Sequence, residues 1–282
     1  MALSAPPAAT GAQPAAPVQC HASGQVRISE LPEASGVAVS QRTPGRLWAH
    51  NDSGNVLVAL DTRGTVTGRV TVSGMTVQDW EAVAVGACPT GSCIYIADIG
   101  DNVAKRKRIT IYRVPEPATE ASVAVTDVFH ATYPDGAHDA EALLITPDGA
   151  LFIVTKGETG AVGLYRFPRE LRPGASHQLE SVGKPRASGK LSQTDRITDG
   201  AVSPDGTWVV LRTRQGFAFH RSADLFAGNW TDAGRVDLTP LGEAQGEGIA
   251  VAADGTVYLT GEGGGKAQSG TFATYRCTVS SQ

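Results

Sequence analysis

The sequence predicts an all-β protein, a β-propeller of five four-stranded blades. Three observations predict it: a pattern of short apolar runs that occurs five times, Asp-Gly turns between the runs, and many turn-forming residues. The 282 residues include 33 Gly and 16 Pro, and 41% of the chain is hydrophobic. This composition indicates a folded chain with many turns. No long window shows helical periodicity, so a helical α/β fold is disfavoured.

Each of the five repeats begins with a polar or acidic segment that leads into an apolar run. These leading segments begin at Glu33, Asp79, Asp139, Arg196 and Gln245. When they are aligned, one column holds Ser35, Glu81, Glu141, Thr198 and Glu247, at spacings of 46, 60, 57 and 49 residues. A repeat of this length is typical of blades stacked around an axis.

The rest of each repeat reads as three further strands. Three turns are nearly identical, beginning at Pro147, Pro204 and Ala253 and continuing Asp-Gly, and Asp-Gly between apolar runs is a strong hairpin signal. Two more strand-like runs follow, as at residues 109–114 and 122–133. Four antiparallel strands per repeat are the sequence form of a propeller blade.

The two ends of the chain are expected to close the ring. The fifth repeat stops after its third strand, at residues 271–279, and an unassigned strand at residues 25–31 can complete it. The antiparallel pair brings Cys277 near Cys20, while Cys88 and Cys93 bracket a tight turn. Of the three pairings that four cysteines allow, we therefore predict Cys20–Cys277 and Cys88–Cys93. A sixth blade is the alternative, if a long connection hides another repeat.

Composition also limits the location and the partners. Residues 1–19 are rich in Ala and Pro, and we expect a flexible tail that followed a removed secretory signal, ahead of one propeller domain at 20–282. Disulfides suit an oxidising compartment, so a secreted or periplasmic protein is expected. No apolar stretch is long enough to span a membrane. The net charge of −4 gives no electrostatic footprint for nucleic acid, and a monomer is expected.

Acidic residues are concentrated where the geometry brings segments together. In a blade, the segment before the first strand and the segment after the second lie at the same mouth of the central channel. The second strands are followed by segments beginning at Asn51, Asp98, Lys156, Arg212 and Gly261. Converging carboxylates need a cation or protons, and Asp, Glu and Asn oxygens suit Ca²⁺ before Mg²⁺. The predicted metal ligands are Glu81, Glu141, Glu247, Asp98 and Asp139.

An alternative is open for these acids. Some could accept backbone N–H bonds or pair with Lys156, Arg212 and Arg214 across the mouth. The fourth repeat breaks the column, because it has Thr198 there and Asp199 one residue later. Asp199 would face the other side of its strand unless a β-bulge intervenes.

Several motifs resemble those of a group of poorly characterised secreted bacterial β-propellers. They are Asp79-Trp-Glu-Ala-Val-Ala, Tyr95-Ile-Ala-Asp-Ile-Gly-Asp-Asn, Tyr112-Arg-Val-Pro-Glu-Pro and Trp48-Ala-His-Asn-Asp-Ser-Gly. More loosely, the chain resembles calcium-dependent propellers such as gluconolactonases, paraoxonase-like lactonases and phytase-like propellers. This resemblance implies a divalent cation at the channel mouth and hydrolysis of a lactone, ester or phosphoester. Those enzymes usually have six blades, and none of their complete catalytic motifs aligns here.

Two functions follow from these observations. The first is a secreted metal-dependent hydrolase, in which Glu141 or His138 is the catalytic base. A small-molecule or glycan ligand would then contact Asn51, Asp101, Asn102, Lys156 and Arg212. The second is a non-catalytic propeller that binds a glycan, peptide or protein partner, with a structural metal.

Other residues have two interpretations. His50 is a second candidate base or a hydrogen-bonded structural histidine. The basic run Lys105 to Arg108 is either a solvated loop or a clamp for an anionic substrate group beside the metal. Trp80 lies between two acids on its strand and is expected to face the packing between blades.

Overall fold

The chain forms five small antiparallel sheets arranged in a ring, as a computed structural model shows. The structure describes residues 18–89, 91–183 and 189–279. Residues 1–17 of the predicted tail lie outside the described residues. The chain is a five-bladed β-propeller. This confirms the predicted fold class and blade number.

The first two blades each contain four antiparallel strands and accept a fifth, parallel strand from a later segment. Blade 1 contains β2 (Ala34–Val39), β3 (Arg46–Asn51), β4 (Val56–Asp61) and β5 (Val66–Ser73), with β9 (Ser122–Ala124) alongside β5. Blade 2 contains β6 (Trp80–Cys88), β7 (Gly91–Asp98), β8 (Ile109–Pro115) and β10 (Asp127–Thr132), with β14 (Ser176–Gln178) alongside β10. The expected single strand at 122–133 is thus two strands in two blades. The added strands cover edges that would otherwise expose unpaired backbone groups.

The last three blades have four strands each. Blade 3 contains β11 (Ala140–Ile145), β12 (Leu151–Thr155), β13 (Leu164–Arg166) and β15 (Glu180–Ser181). Blade 4 contains β16 (Ile197–Val202), β17 (Trp208–Thr213), β18 (Gly216–Arg221) and β19 (Gly234–Asp237), with the short helix α1 (Ser222–Leu225) between the last two. Blade 5 contains β20 (Gln245–Val251), β21 (Thr256–Glu262), β22 (Gly270–Thr278) and β1 (Gln19–Ile28), after a 3₁₀ turn at Thr239–Leu241.

The two ends of the chain close the ring, as predicted. Strand β1 pairs antiparallel with β22 and places Cys20 directly opposite Cys277, and the two form a disulfide. The second predicted disulfide, Cys88–Cys93, spans the hairpin between β6 and β7. The closing strand begins six residues earlier than expected. Most of its side chains are exposed, so the strand has no apolar alternation that would reveal its bounds.

Five apolar clusters hold the ring together, one between each pair of neighbouring blades. Trp80 is fully buried between blades 1 and 2, as predicted. The first strands of the blades, β2, β6, β11, β16 and β20, pack against one another around the central channel. None of the helices in the described part of the chain has the length and apolar character of a membrane span.

Candidate functional site

The first strand of every blade carries a β-bulge at the same position, near one end of the channel. The register shifts lie between Ala34 and Val37, Trp80 and Ala82, Ala140 and Ala142, Ile197 and Asp199, and Gly246 and Ile249. The predicted column residues fall within these bulges. A bulge frees a residue from the ladder and re-aims its side chain. It therefore gives five different sequences a common geometry at the mouth.

Two members of the column are hydroxyls that link neighbouring blades. Ser35 Oγ donates to the carbonyl of Glu81 at 2.7 Å, and Thr198 Oγ1 donates to the carbonyl of Glu247 at 3.0 Å. Asp199, one residue after the bulge, is buried, and its Oδ2 accepts a hydrogen bond from the Ile249 amide at 2.8 Å. The fourth repeat therefore contributes a structural acid and no column carboxylate.

The other three members are the glutamates Glu81, Glu141 and Glu247, which are 8%, 2% and 6% exposed. Burial raises the pKa of each carboxyl, because the charged form loses water. Nearby carboxylates add to the effect: Glu141 and Asp79 act on Glu81, and Glu141 acts on Glu247. The pKa of Glu141 is raised to about 7, with Lys156 opposing the effect of burial. Groups that interact this closely titrate as a cluster.

Lys156 is the cation closest to these acids, one residue after β12. Its Nζ contacts Glu141 Oε1 and lies 3.6 Å from Asp139 Oδ2 and 3.7 Å from Glu158 Oε2. Burial opposes its charge, but the carboxylates of Glu141 and Asp139 raise the pKa of Lys156 overall. The lysine therefore remains an ammonium ion facing more carboxyls than it can neutralise.

Two predicted site acids accept hydrogen bonds from backbone amides. Asp98 Oδ1 accepts hydrogen bonds from the amides of Gln78 and Asp79, at 3.1 and 2.8 Å, and the carboxylate pairs with Arg106 at 2.9 Å. Asp139 Oδ1 accepts from the Asp101 amide at 2.7 Å, while Asp101 Oδ2 accepts from the Arg106 amide. These contacts fix the loop after β7 against blade 3.

The predicted substrate-binding residues fall into two groups. Lys156 and Asn102 lie at the acidic mouth, where Asn102 Nδ2 donates to Asp79 Oδ2 at 3.3 Å. Asn51 donates to the Glu30 carbonyl and accepts from the Glu33 amide. Arg212 is fully buried and donates to the carbonyls of Gly248 and Thr260 and to Glu243. The contacts of Asn51 and Arg212 are thus within the protein.

The two candidate histidines have protein partners. His138 Nε2 lies 2.9 Å from both Asp135 Oδ1 and the Tyr165 hydroxyl, and none of its described contacts is with Glu141. His50 Nε2 accepts from the Gly36 amide, its Nδ1 donates to the Asn51 carbonyl, and its ring stacks on Trp80 at 4.0 Å. Burial lowers the pKa of His50 to about 3, so this histidine is neutral and structural.

Gly100 is a residue that the sequence reasoning did not single out. A Cβ at this position would lie 2.5 Å from both Asp79 Oδ2 and Glu81 Oε1. The glycine allows the loop after β7 to pass directly over the acids. Its position between Asp98 and Asp101 in the Asp-Ile-Gly-Asp-Asn motif was the available signal.

The opposite end of the channel has a different chemistry. There the ends of the five first strands line a cavity of about 470 Å³ with mainly Val, Leu, Ile, Ala and Pro side chains. The acids are therefore confined to one mouth of the channel.

The carboxylate oxygens at the mouth are the kind of ligand that a hard cation prefers, but the Lys156 ammonium already lies beside them. Asp139 Oδ2 and Glu141 Oε1 are buried without a hydrogen-bond donor in suitable geometry, and both face Lys156. In the described ranges, no group of three or more His, Cys, Asp or Glu side chains is arranged to hold a metal ion. A calcium ion at the mouth would therefore have to displace the Lys156 ammonium.

Comparisons with known proteins show the fold. The chain matches no family model and none of the curated proteins. It is similar in structure to the PQQ-bound aldose sugar dehydrogenase of Streptomyces coelicolor (TM-score 0.58, 11% identity, 94% of this chain and 100% of that one). It is also similar to the allergen Mala s 1 of Malassezia sympodialis (TM-score 0.59, 11% identity, 91% and 96%).

A third solved structure gives a weaker match. It is a gluconolactonase of Xanthomonas campestris, with a TM-score of 0.47, 13% identity and coverage of 93% of this chain and 98% of that one. At these identities the likeness extends to the fold alone.

Proposed function

We propose that this propeller is an extracytoplasmic hydrolase that acts on a small neutral lactone or ester at its acidic channel mouth. The observation that carries the proposal is Glu141, a carboxyl with its pKa raised to about 7 in contact with the Lys156 ammonium. A group with a pKa near the working pH is suited to general acid–base catalysis. The two disulfides support an oxidising location.

The two side chains have complementary roles in this proposal. Glu141, as a carboxylate, accepts a proton from a water molecule whose oxygen attacks the carbonyl carbon of the ester. Lys156 donates a hydrogen bond to the carbonyl oxygen as negative charge develops there. When the tetrahedral intermediate collapses, the bond to the leaving oxygen breaks, and that oxygen takes the proton from Glu141. Water is thereby added across the ester bond.

The charge of the mouth favours a neutral substrate. The charge of Lys156 acts on the carboxyls of Asp79, Glu81, Asp139, Glu141, Glu247 and Glu262. In the described part of the chain, only Asp79 and Glu262 have a further cation nearby, Arg106 and Arg214. A phosphoester anion would be repelled there unless a further cation were bound. A lactone or ester has no such penalty, so it is preferred over the phosphoester.

A calcium ion is the alternative to Lys156 in stabilising the carbonyl oxygen, and the same excess of carboxyls supports it. Glu81, Glu141, Glu247 and Asp139 would hold the ion in place of the Lys156 ammonium, whereas Asp98 is committed to Arg106. Bound calcium would polarise the carbonyl oxygen of the ester. His138 would need to turn away from Asp135 and Tyr165 to act as the base.

A non-catalytic role is favoured by one observation, the depth of the acids. Asp139 and Glu141 are 1% and 2% exposed, so a ligand could rest on Lys156, Asn102 and Glu158 without reaching them. This arrangement would bind a glycan or peptide and leave it unchanged.

Hydrolysis of neutral lactones and aryl esters, followed by pH-stat, tests the proposal. We expect Glu141→Gln to lower kcat at least 100-fold, since general catalysis contributes about 10²–10⁴-fold. Glu180→Gln, on the outer strand of blade 3, is the matched control and should retain activity. Absence of turnover by the wild type, or full activity of Glu141→Gln, would refute a hydrolase at this site.

Calorimetric titration with Ca²⁺ tests the cofactor separately. If calcium takes the lysine position, Lys156→Met should bind it more tightly than the wild type does. Glu81→Gln should then weaken binding in both backgrounds. Equal or absent binding by wild type and Lys156→Met would remove calcium from the site.

A further inference from the structure

An open cleft of about 840 Å³ lies on the flank of blade 2, apart from the channel. It is formed by three parts of the chain: the loop before β6, the loop between β7 and β8, and the strands β8, β10 and β14. Its lining includes the cations Lys105, Lys107 and Arg108, the carboxylates Asp98 and Asp101, and the polar side chains of Thr110, His130 and Ser176.

The cleft carries an unbalanced positive charge in a chain with a net charge of −4. Of its four consecutive basic residues, Arg106 is neutralised by Asp98 at 2.9 Å. The other three, Lys105, Lys107 and Arg108, are exposed. Among the described residues, no carboxylate lies within ion-pair distance of any of these three. Asp101 is the other carboxylate in the lining, so the four cations of the cleft exceed its two carboxylates by two.

The loop that carries these cations is held in place. The Asp101 carbonyl and carboxylate accept hydrogen bonds from the amides of Ala104 and Arg106, and the Asp101 amide donates to Asp139. Ala104 has a φ of +49°, in the left-handed region that L-residues seldom adopt. The Arg106 guanidinium also donates to the Gly100 carbonyl at 2.7 Å. Such anchoring lowers the entropy lost when a ligand is bound.

Neutral hydrogen-bonding groups lie on the wall facing this loop. Thr110 Oγ1 lies 3.1 Å from His130 Nδ1, and Ser176 on the added strand β14 pairs with His130 in the sheet. Burial, and then the charge of Arg108, lower the pKa of His130. Guanidinium, ammonium and hydroxyl donors on facing walls are the groups that proteins use to bind tetrahedral oxyanions.

We infer that this cleft binds a small molecule bearing a phosphate or sulfate ester, with Lys105, Lys107 and Arg108 contacting the oxyanion. The volume exceeds that of a free anion and falls in the range of small-molecule sites, roughly 300–1,000 Å³. The remainder of the ligand would lie against Thr110, His130 and Ser176. This inference does not depend on the hydrolase proposal, because neither Glu141 nor Lys156 lines the cleft.

Isothermal titration of the full chain with glucose 6-phosphate, glucose 6-sulfate and glucose tests the inference and separates the two oxyanion sources. We expect at least one ester to bind and unsubstituted glucose not to bind. The variant Lys105→Gln/Lys107→Gln/Arg108→Gln should weaken ester binding at least tenfold. Ser176→Ala should weaken it less, by roughly two- to tenfold, since one hydroxyl contributes about 0.5–1.5 kcal/mol.

A charge-matched control variant distinguishes binding at this cleft from nonspecific attraction of an anion to the protein. Arg63→Gln/Lys190→Gln/Lys266→Gln removes three exposed cations outside the cleft and should keep wild-type affinity within twofold. Equal weakening by both triple variants would overturn the inference, as would failure of both esters to bind the wild type. Circular dichroism and the melting temperature establish that each variant is folded.

Discussion

Lowering the pH should destabilise this propeller through His50. The imidazole is fully buried against Trp80, with one nitrogen accepting and the other donating a hydrogen bond. Burial lowers its pKa from 6.5 to about 3. Between these values the unfolded chain binds a proton at His50 and the folded chain does not. Stability is therefore lost as the pH falls through 6.5 towards 3.

The size of this loss follows from the width of that window. A pH of 4.5 is two units below the ordinary histidine pKa of 6.5. Each unit lowers the free energy of unfolding by about 1.36 kcal/mol when only the unfolded state binds the proton. His50 alone should thus lower the free energy of unfolding by about 3 kcal/mol between pH 7.5 and 4.5. The buried carboxyls act in the opposite direction, because their raised pKa values let the folded state bind protons first. The His50 effect must accordingly be measured as a difference between variants.

His50→Gln removes the titration and keeps one donor and one acceptor. Free energies of unfolding from urea denaturation at pH 7.5, 6.5, 5.5 and 4.5 give the required comparison. The variant should be less stable than the wild type at pH 7.5, and this difference in stability should narrow by about 3 kcal/mol at pH 4.5. His21→Gln, at an exposed histidine on β1, controls for the loss of one imidazole. A gap that stays constant over this range would refute the assignment of a buried neutral histidine.

Two further predictions concern ring closure and the acidic mouth. The double variant Cys20→Ser/Cys277→Ser opens a loop with a sequence separation of 257. It should lower the free energy of unfolding by about 5 kcal/mol on a chain-entropy basis. For Cys88→Ser/Cys93→Ser, with a separation of 5, the expected loss is about 2 kcal/mol. Urea denaturation measures both losses, and equal losses would contradict the larger contribution of the ring-closing disulfide to stability. Gly100→Ala would place a Cβ 2.5 Å from Glu81 Oε1 and should cost about 1–3 kcal/mol, as overpacked sites do. An unchanged melting temperature, with Gly160→Ala in open space as the control, would mean that the loop after β7 can move away from the acids.

The fold could be predicted because its signal is repeated. Five copies of one apolar pattern predicted the blade number, and the positions of Cys20 and Cys277 indicated that the two ends pair. Where an element has no repeat and no apolar pattern, prediction was less accurate. The closing strand β1 is mostly exposed, and β9 is only three residues long and joins blade 1 through backbone pairing with β5. A strand that is held by backbone pairing with a segment about 50 residues away has no characteristic residue pattern, so it cannot be recognised from composition.

The site could be predicted as a meeting place of acids, but the contacts of each acid could not. Asp98 was expected to bind metal, and it accepts hydrogen bonds from two amides about 20 residues earlier in the chain. Arg212 was expected to contact substrate, and it is buried against carbonyls of blade 5. A sequence shows which carboxylates converge. It does not show which of them backbone amides already satisfy, because only the fold brings those amides close. The donors to Asp98 lie about 20 residues earlier in the same blade, and the donor to Asp139 lies in blade 2.

The difference between the column residues explains why three carboxyls, and not five, reach the mouth of the channel. In blades 1 and 4 the bulge residue is a hydroxyl, and it bonds the bulge carbonyl of the next blade. In blades 2, 3 and 5 the residue is a glutamate, which cannot donate such a bond as a carboxylate and turns to the mouth instead. Three carboxyls thus enter a space that holds one nearby ammonium ion, and burial raises the pKa of each. The cluster must therefore retain a proton or take up a cation near neutral pH. The same deficit of positive charge therefore favours both a carboxyl that holds a transferable proton and the binding of a metal ion.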